Sequence, residues 1–204
     1  MFTKNYPSQL LEEAVEQFAS LPGIGRKSAL RLALHILKQP VENVERFSRA
    51  FTELRRGVKY CKQCNMITDG DYCPICRDGK RDSSVICVVE SIRDVLSIEN
   101  TGHYNGLYHV LGGIISPIDG VGPSDLPIEQ LIGRVKEGVV GEIILALSTS
   151  MEGETTSFYL YKKLSGLNVR ITAIARGVGF GDDLEYADEL TLGKSIENRQ
   201  LFKY

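Results

Sequence analysis

Residues 61–76 read CKQCNMITDGDYCPIC and contain two C-x-x-C pairs separated by eight residues: Cys61 with Cys64, and Cys73 with Cys76. Two such pairs bring four thiolates to one point, in the tetrahedral arrangement that zinc prefers. Gly70 and Pro74 supply the tight turns that the two C-x-x-C pairs need. Four thiolates leave no open coordination position, so the pattern predicts one structural Zn²⁺ per chain and not a catalytic metal.

Two disulfides are the alternative interpretation of these four cysteines. The chain begins without a recognisable signal peptide, so we expect a reducing compartment in which zinc-bound thiolates are favoured over disulfides. The fifth cysteine, Cys87, lies in an apolar run at residues 85–89. That setting predicts a buried small hydrophobic residue and not a nucleophile.

Composition is that of an ordinary globular protein, with 43% hydrophobic and 25% charged residues among 204. No apolar run approaches the roughly 18 residues that read as a membrane span. The net charge of −2 is unevenly distributed: residues 1–81 carry 14 Lys/Arg against 9 Asp/Glu, and residues 82–204 carry 10 against 17. The basic front predicts a polyanionic partner, and the acidic remainder argues against nucleic acid wrapping the whole molecule.

Upstream of the cysteines, apolar residues recur at helical spacing over residues 10–20, 29–37 and 44–54, which predicts three helices. The first two are separated by Leu21-Pro22-Gly23-Ile24-Gly25. Two glycines permit a tight turn that presents backbone N–H groups at a helix start, which is an anion site. The predicted DNA-binding residues are Gly23, Gly25, Arg26, Lys27 and Arg31.

Contacts of this kind go to phosphates and read no base sequence. The run resembles the helix-hairpin-helix motif of DNA-binding proteins. The alternative is an ordinary pair of helices whose cations are merely solvated.

Downstream of residue 81, β-rich runs alternate with helical ones. Strands are predicted at 85–89, 108–111, 142–147 and 169–175, and helices at 92–98, 128–136 and 156–164. The alternation indicates a parallel sheet covered by helices on both faces, joined to the helical and zinc modules in a multi-module α/β protein. The Gly/Pro-rich residues 112–127 are predicted to form an ordered loop.

Residues 143–154 read IILALSTSMEGE and are similar to the Toprim segment of topoisomerases and primases, where a strand ends in Asp-x-Asp-x-Glu-Gly. The run ending at Glu90 resembles the other Toprim half. In the active enzymes the aspartates hold Mg²⁺. Here Ser148 and Ser150 replace both aspartates, and hydroxyls are poor ligands for that cation. We therefore expect no catalysis, and predict that Glu90, Glu152 and Glu154 form an acidic docking surface for a protein partner.

The order of these modules resembles the bacterial RecR family of recombination mediators, from residue 8 to residue 204. Further runs carry the likeness: Cys87-Val88-Val89-Glu90-Ser91, then Leu111-Gly112-Gly113 followed by Ser116-Pro117-Ile118-Asp119-Gly120-Val121-Gly122-Pro123, and finally Leu184-Glu185-Tyr186-Ala187-Asp188. Two runs depart from it. The family usually has Asn-Pro-Thr where this chain has Ser148-Thr149-Ser150, and a proline where it has Gly179.

The resemblance implies four segments: a helix-hairpin-helix DNA-binding domain at 1–56, a C4 zinc finger at 57–80, a Toprim domain at 81–176 and a C-terminal segment with oligomer contacts at 177–204. It implies a cytoplasmic, nucleoid-associated homotetramer, ring-like in form. Such a protein binds single-stranded and duplex or gapped DNA. It acts with RecO and RecF to load RecA on SSB-coated single strands at gaps, without catalysis of its own. The alternative is a small Toprim-type magnesium-dependent nuclease or phosphatase.

Overall fold

The computed structural model describes residues 6, 8–179, 181 and 183–201. Parts of the predicted first domain and C-terminal segment, namely residues 1–5, 7, 180, 182 and 202–204, lie outside the described residues. The chain divides into two compact units, which we call the helical unit (residues 1–58) and the zinc–Toprim unit (residues 59–204). Among the described helices, none combines the length and apolar character needed to cross a bilayer.

The helical unit contains the three predicted helices: α1 (Gln9–Ala19), α2 (Arg26–Leu37) and α3 (Val41–Gly57). Its buried core is small and joins α1 to α2 through Val15, Ala29 and Ala33. In the turn between these helices, Gly23 has a φ of +80°, a conformation that glycine adopts without the penalty a side chain would bring.

Helix α3 is amphipathic, yet none of its 17 residues is buried. Its apolar side carries Phe47, Phe51 and Leu54, which are 45%, 57% and 57% exposed. The two phenylalanine rings meet edge to face with centroids 4.9 Å apart. Within the helical unit, this apolar face therefore has little to pack against.

The zinc–Toprim unit begins with the cysteine segment, which forms a two-stranded antiparallel hairpin of β1 (Lys59–Tyr60) and β2 (Ile67–Thr68), followed by the short helix α4 (Pro74–Arg77). We call residues 59–78 the knuckle. The remaining strands form one parallel sheet in the order β4-β3-β5-β6. Their bounds are β3 (Asp82–Val89), β4 (Gly106–Val110), β5 (Glu142–Ala146) and β6 (Arg170–Ala173).

Helices connect these strands as predicted: α5 (Ile92–Thr101), α6 (Ile128–Lys136) and α7 (Met151–Leu164). Successive strand residues point to opposite faces of the sheet. Ile86 and Val88 therefore pack in the core with α6 and α7, while Cys87 and Val89 pack with Val95 of α5. Cys87 is buried, which confirms that prediction.

Three short elements outside the knuckle were not predicted. Residues 112–127 are largely loop but include a 3₁₀ turn (Pro123–Asp125), and the C-terminal segment contains a 3₁₀ turn (Leu184–Tyr186) and α8 (Glu189–Glu197). No residue of α8 is buried.

The outer edge of β4 is covered by partners from outside the sheet. Val110 N–H donates to the Cys64 carbonyl at 2.8 Å, and the Asn65 amide donates to the Val110 carbonyl at 2.9 Å. Arg81 Nη1 and Arg134 Nη1 donate to the carbonyls of Gly106 and Tyr108, at 3.3 Å and 2.7 Å. The knuckle and two side chains thus satisfy main-chain groups at this end of the sheet.

Candidate metal centre and nucleic-acid interface

The knuckle brings the four predicted cysteines together. The Sγ atoms of Cys61, Cys64, Cys73 and Cys76 all lie within 4.8 Å of one another. Three of them are buried and the fourth is half-buried. Backbone N–H groups also point at sulfur: that of Cys73 toward Cys61 Sγ at 3.3 Å, and that of Cys76 toward Cys73 Sγ at 3.4 Å. Hydrogen bonds to sulfur favour the thiolate that a metal requires.

The thiols are too crowded to ionise together without a cation. Cys64 and Cys73 have their Sγ atoms 3.5 Å apart. This contact lowers the pKa of Cys73 and raises the pKa of Cys64. A divalent cation removes that conflict because it stabilises every thiolate at once. The site offers four sulfur donors that converge on one point, which fits tetrahedral Zn²⁺. Within the described ranges, no other group of three or more His, Cys, Asp or Glu side chains converges in this way.

The start of α2 has the features of an anion site. Gly25 is its N-cap and provides no side-chain hydrogen bond to the first N–H groups. The first turn carries Arg26 and Lys27 and no acidic residue. The other described helices of nine or more residues all place an acidic residue in that turn. Cations there oppose the helix dipole at a cost of about 0.3–1 kcal/mol each, so a bound anion would relieve an unfavourable arrangement.

The predicted cations share one exposed side of α2. Lys27 and Arg31 line the same open groove as His35 and Lys38, which extend the row at helical spacing. His35 and Lys38 were not among the predicted binding residues, although their spacing from Arg31 signals the shared face. Arg26 lies 3.9 Å from Glu16, with both side chains more than half exposed, so this ion pair is weak.

At the Toprim edge, the predicted carboxylates have different surroundings. Glu90 accepts a hydrogen bond from the Ser148 N–H at 2.5 Å, and Glu154 forms an ion pair with Arg176. Glu152 is half-buried, and its carboxylate makes no hydrogen bond or ion pair with any described residue. The structure therefore brings Glu90 to the serine turn but directs Glu154 toward another partner.

The two serines that replace the aspartates hold the turn before α7. Their Oγ atoms are 3.1 Å apart, and Ser150 Oγ accepts the Gly153 N–H at 3.0 Å as the helix cap. Gly153 is needed because a Cβ there would lie 2.2 Å from the Ser148 carbonyl oxygen. These hydroxyls serve the local fold.

Comparison with known proteins assigns each module. Residues 11–55 match the family model described as RecR, helix-hairpin-helix, and residues 58–78 match the model of the RecR zinc finger domain, a finger of the four-cysteine type. Residues 84–175 match the Toprim domain, and residues 177–200 match RecR, C-terminal.

Relatives that align with nearly the whole chain give the same assignment. Recombination protein RecR of Parabacteroides distasonis is 61% identical over 98% of this chain and 96% of its own length. The chain belongs to the RecR family. The RecR proteins of Porphyromonas gingivalis and Flavobacterium johnsoniae are 58% and 54% identical, over 98% and 97% of this chain and 96% of their own lengths.

RecR membership bears on the metal directly. The matched zinc finger region contains all four converging cysteines, so the cluster is the site of one structural zinc. The disulfide alternative is set aside, and the predicted cofactor is confirmed. The order of helix-hairpin-helix, zinc finger and Toprim modules is confirmed as well. When bound, zinc supplies the cross-link between the two halves of the knuckle, and the chain's own N–H groups orient the sulfur atoms.

Proposed function

We propose that this chain is a DNA-binding recombination mediator with no catalysis of its own. The observation that carries the proposal is the start of α2, where uncapped N–H groups and two cations coincide. A phosphate would satisfy those groups and neutralise charges that otherwise oppose the helix dipole. Gly25 has no neighbouring atom within 4 Å of a built Cβ, so a backbone phosphate could approach it closely. Such contacts would be tolerant of base sequence.

The proposed partners are RecO and RecF, with which the chain would help load RecA on SSB-coated single-stranded DNA at gaps. Family resemblance supports this role, and the curated relatives are named as recombination proteins. On the chain itself, Glu152 is the carboxylate free to meet a basic partner surface, with Glu90 and Glu154 adding to the local negative field. Charge matching of this kind chiefly sets encounter rate and specificity.

We also propose self-association into a ring-like homotetramer. Exposed apolar side chains on two parts of the chain support it. The first group is the face of α3 that includes Phe47 and Phe51. The second lies in the C-terminal segment, where Leu190 and Leu201 are 71% and 87% exposed. Apolar surface of this kind marks interaction sites in folded proteins.

The absence of catalysis is supported by the way the Toprim groups are used. Glu90 accepts a backbone N–H, and Ser150 caps a helix. The competing function is a magnesium-dependent nuclease or phosphatase. Incubating clean protein with labelled DNA and Mg²⁺ separates the two, because cleavage that disappears in Glu152→Gln would establish the enzyme.

The DNA site is tested by measuring affinity across a salt series for the parent and the double variant Lys27→Ala/Arg31→Ala. Each neutralised phosphate contributes roughly 0.7–0.9 to the logarithmic salt slope, so the double variant should lose up to about 1.8 of it. All DNA sequences should be affected alike. Arg55→Ala/Arg56→Ala is the matched control, since it removes two cations from the end of α3. Equal binding by parent and double variant at every salt concentration would exclude α2.

Partner docking is tested with Glu152→Lys. We expect weaker binding to a RecO-type partner, with zinc content, oligomer mass and DNA binding by the protein alone unchanged. Glu129→Lys is the control, because Glu129 occupies the same first-turn position on α6 and makes only an exposed ion pair with Lys163. Normal partner binding by the Glu152 variant would remove the docking surface from the proposal.

A further inference from the structure

Arg134 is the one charged side chain that is buried among the residues the structure describes, at 8% exposure. It lies on α6, and its Nη1 donates to the Tyr108 carbonyl at 2.7 Å. No carboxylate within the described ranges comes close enough to form a salt bridge with it. A buried charge is strongly destabilising unless an opposite charge compensates it. An anion close to Arg134 would therefore stabilise the fold.

Hydrogen bonds from α6 and β4 place the knuckle beside the segment that holds Arg134. Burial lowers the pKa of Arg134, and negative charge on Cys76, Cys64 and Cys61 opposes that shift. The exposed carboxylate of Glu137 also opposes it, after the three cysteines in order of effect. Burial lowers the pKa of His109 on β4, and the positive charge of Arg134 lowers it further.

Main-chain and side-chain contacts fix this arrangement. Gln130, one turn before Arg134 on α6, donates to the Lys62 carbonyl within the first C-x-x-C pair at 2.5 Å. The Cys64 carbonyl accepts the N–H of Val110, two residues beyond the Tyr108 carbonyl that holds Arg134. Ile75 packs against the sheet core and against the cysteine cluster. Helix α6, strand β4 and the knuckle therefore form one junction around the guanidinium.

Zinc bound by four thiolates carries a net charge of two minus. We propose that Arg134 is the counter-cation of this zinc tetrathiolate, offsetting part of the charge of the loaded site while the site compensates the buried guanidinium. Zinc binding and burial of Arg134 are then linked, so each stabilises the other. The Toprim helix α6 becomes part of the metal centre, although it contributes no ligand.

The first test measures zinc affinity by competition with a chromogenic chelator. Arg134→Met removes the charge and keeps apolar bulk, and it should weaken zinc binding about 10- to 100-fold, the usual effect of losing a group that supports metal ligands. Arg134→Lys keeps the charge and should stay within a few-fold of the parent. Lys136→Met, two residues away on the exposed side of the same helix, should leave affinity unchanged.

A second measurement separates charge compensation from simple packing. Without zinc the crowded thiols cannot all ionise together, so the metal-free parent buries Arg134 with less counter-charge than the loaded site supplies. Arg134→Met should therefore raise the unfolding midpoint of the metal-free protein and lower that of the zinc-bound protein. A purely structural role would lower both.

A third measurement changes the charge of the site itself. In a Cys76→His background the loaded site carries one negative charge less, so the loss of zinc affinity caused by Arg134→Met should shrink. The proposal is overturned if that loss is the same in both backgrounds, or if Arg134→Met leaves affinity unchanged. If Arg134→Met does not fold, the zinc affinity of Arg134→Lys decides the question. A tenfold or greater loss of affinity in this variant, which retains the charge, would show that only the hydrogen bond to Tyr108 matters and would overturn the proposal.

Discussion

The helical unit and the zinc–Toprim unit differ in how they use their polar and charged groups. In the helical unit, only a few small side chains are buried, and the cations of α2 face solvent. In the zinc–Toprim unit, charged groups are engaged internally: Glu90 holds the Ser148 N–H, and Arg81 holds Glu99 through two hydrogen bonds. Groups satisfied within the fold are less available to a ligand, and this difference supports our proposal that the helical unit binds DNA.

Two helix starts show the same difference locally. Helix α2 begins after Gly25 with no side-chain cap and two cations. Helix α7 begins after Ser150, which caps it, and carries Glu152 and Glu154 in its first turn. The second arrangement complements the helix dipole and would repel a phosphate, whereas the first would attract one. In this chain the turn between β5 and α7 is stabilised by its own cap and first-turn carboxylates.

Loss of zinc should produce the largest difference between the two units, because only the zinc–Toprim unit contains the metal site. Cys64→Ser should abolish stoichiometric zinc and destabilise the zinc–Toprim unit by several kcal/mol, since structural zinc sites contribute roughly 10 kcal/mol or more of binding energy to folding. Elemental analysis and thermal unfolding measure both effects, and chelation of the parent should reproduce them. Cys87→Ser, a buried cysteine outside the cluster, should keep its zinc. Full zinc content in the Cys64 variant would contradict the four-cysteine site.

Matched glycine substitutions sharpen the comparison at the two helix starts. Gly153→Ala places a Cβ 2.2 Å from the Ser148 carbonyl oxygen, so we expect a loss of about 2–3 kcal/mol in the free energy of unfolding. Gly25→Ala meets no atom within 4 Å and should leave that free energy nearly unchanged while weakening DNA binding. Urea denaturation and DNA titration measure the pair. The reverse pattern would show that α7, not α2, receives the ligand.

The Arg81–Glu99 pair tests how far the second unit depends on internal charge. Arg81 Nη1 and Nη2 donate to Glu99 at 2.9 Å and 2.5 Å, and Tyr108 Oη donates to the same carboxylate at 2.7 Å. Glu99→Gln should cost about 1–2 kcal/mol at pH 7, because Arg81 is only 15% exposed and would lose its counter-charge.

This cost should depend on pH. The Arg81 guanidinium holds the pKa of Glu99 below its ordinary value of 4.5. The stabilisation is therefore complete above that value and is lost as pH falls through the lowered pKa of the folded protein. Urea denaturation of parent and variant at neutral and acidic pH should show their difference narrowing toward acid. A difference that is constant with pH would mean that packing, and not charge, holds the pair.

The smallest expected effect is that of the α7 cap. Ser150→Ala removes the acceptor of the Gly153 N–H and should cost about 1 kcal/mol without altering DNA binding. Ser148→Ala, which removes the neighbouring hydroxyl but no cap, is the control and should cost less. A change in DNA affinity in either variant would place nucleic acid at the Toprim edge.

Sequence reasoning succeeded where the deciding signal is local. Cysteine spacing predicted the metal ligands, and apolar periodicity predicted the main helices and strands to within a few residues. It could not predict the partners of Glu90 and Arg134, whose hydrogen bonds span 58 and 26 residues of chain. An arginine in a helical pattern is normally solvated, so its burial depends on the tertiary packing of α6 against β4. Helix α8 was missed because it buries nothing that would give a strong apolar period.

The covered edge of β4 has a consequence for how the protein would fail. An uncovered edge strand offers free N–H and C=O groups to another chain and promotes aggregation. Here the knuckle shields Val110, and zinc holds the knuckle in place. Metal depletion would therefore release the knuckle and expose the main-chain groups of this sheet edge. Zinc-depleted protein would then aggregate and precipitate while retaining much of its secondary structure.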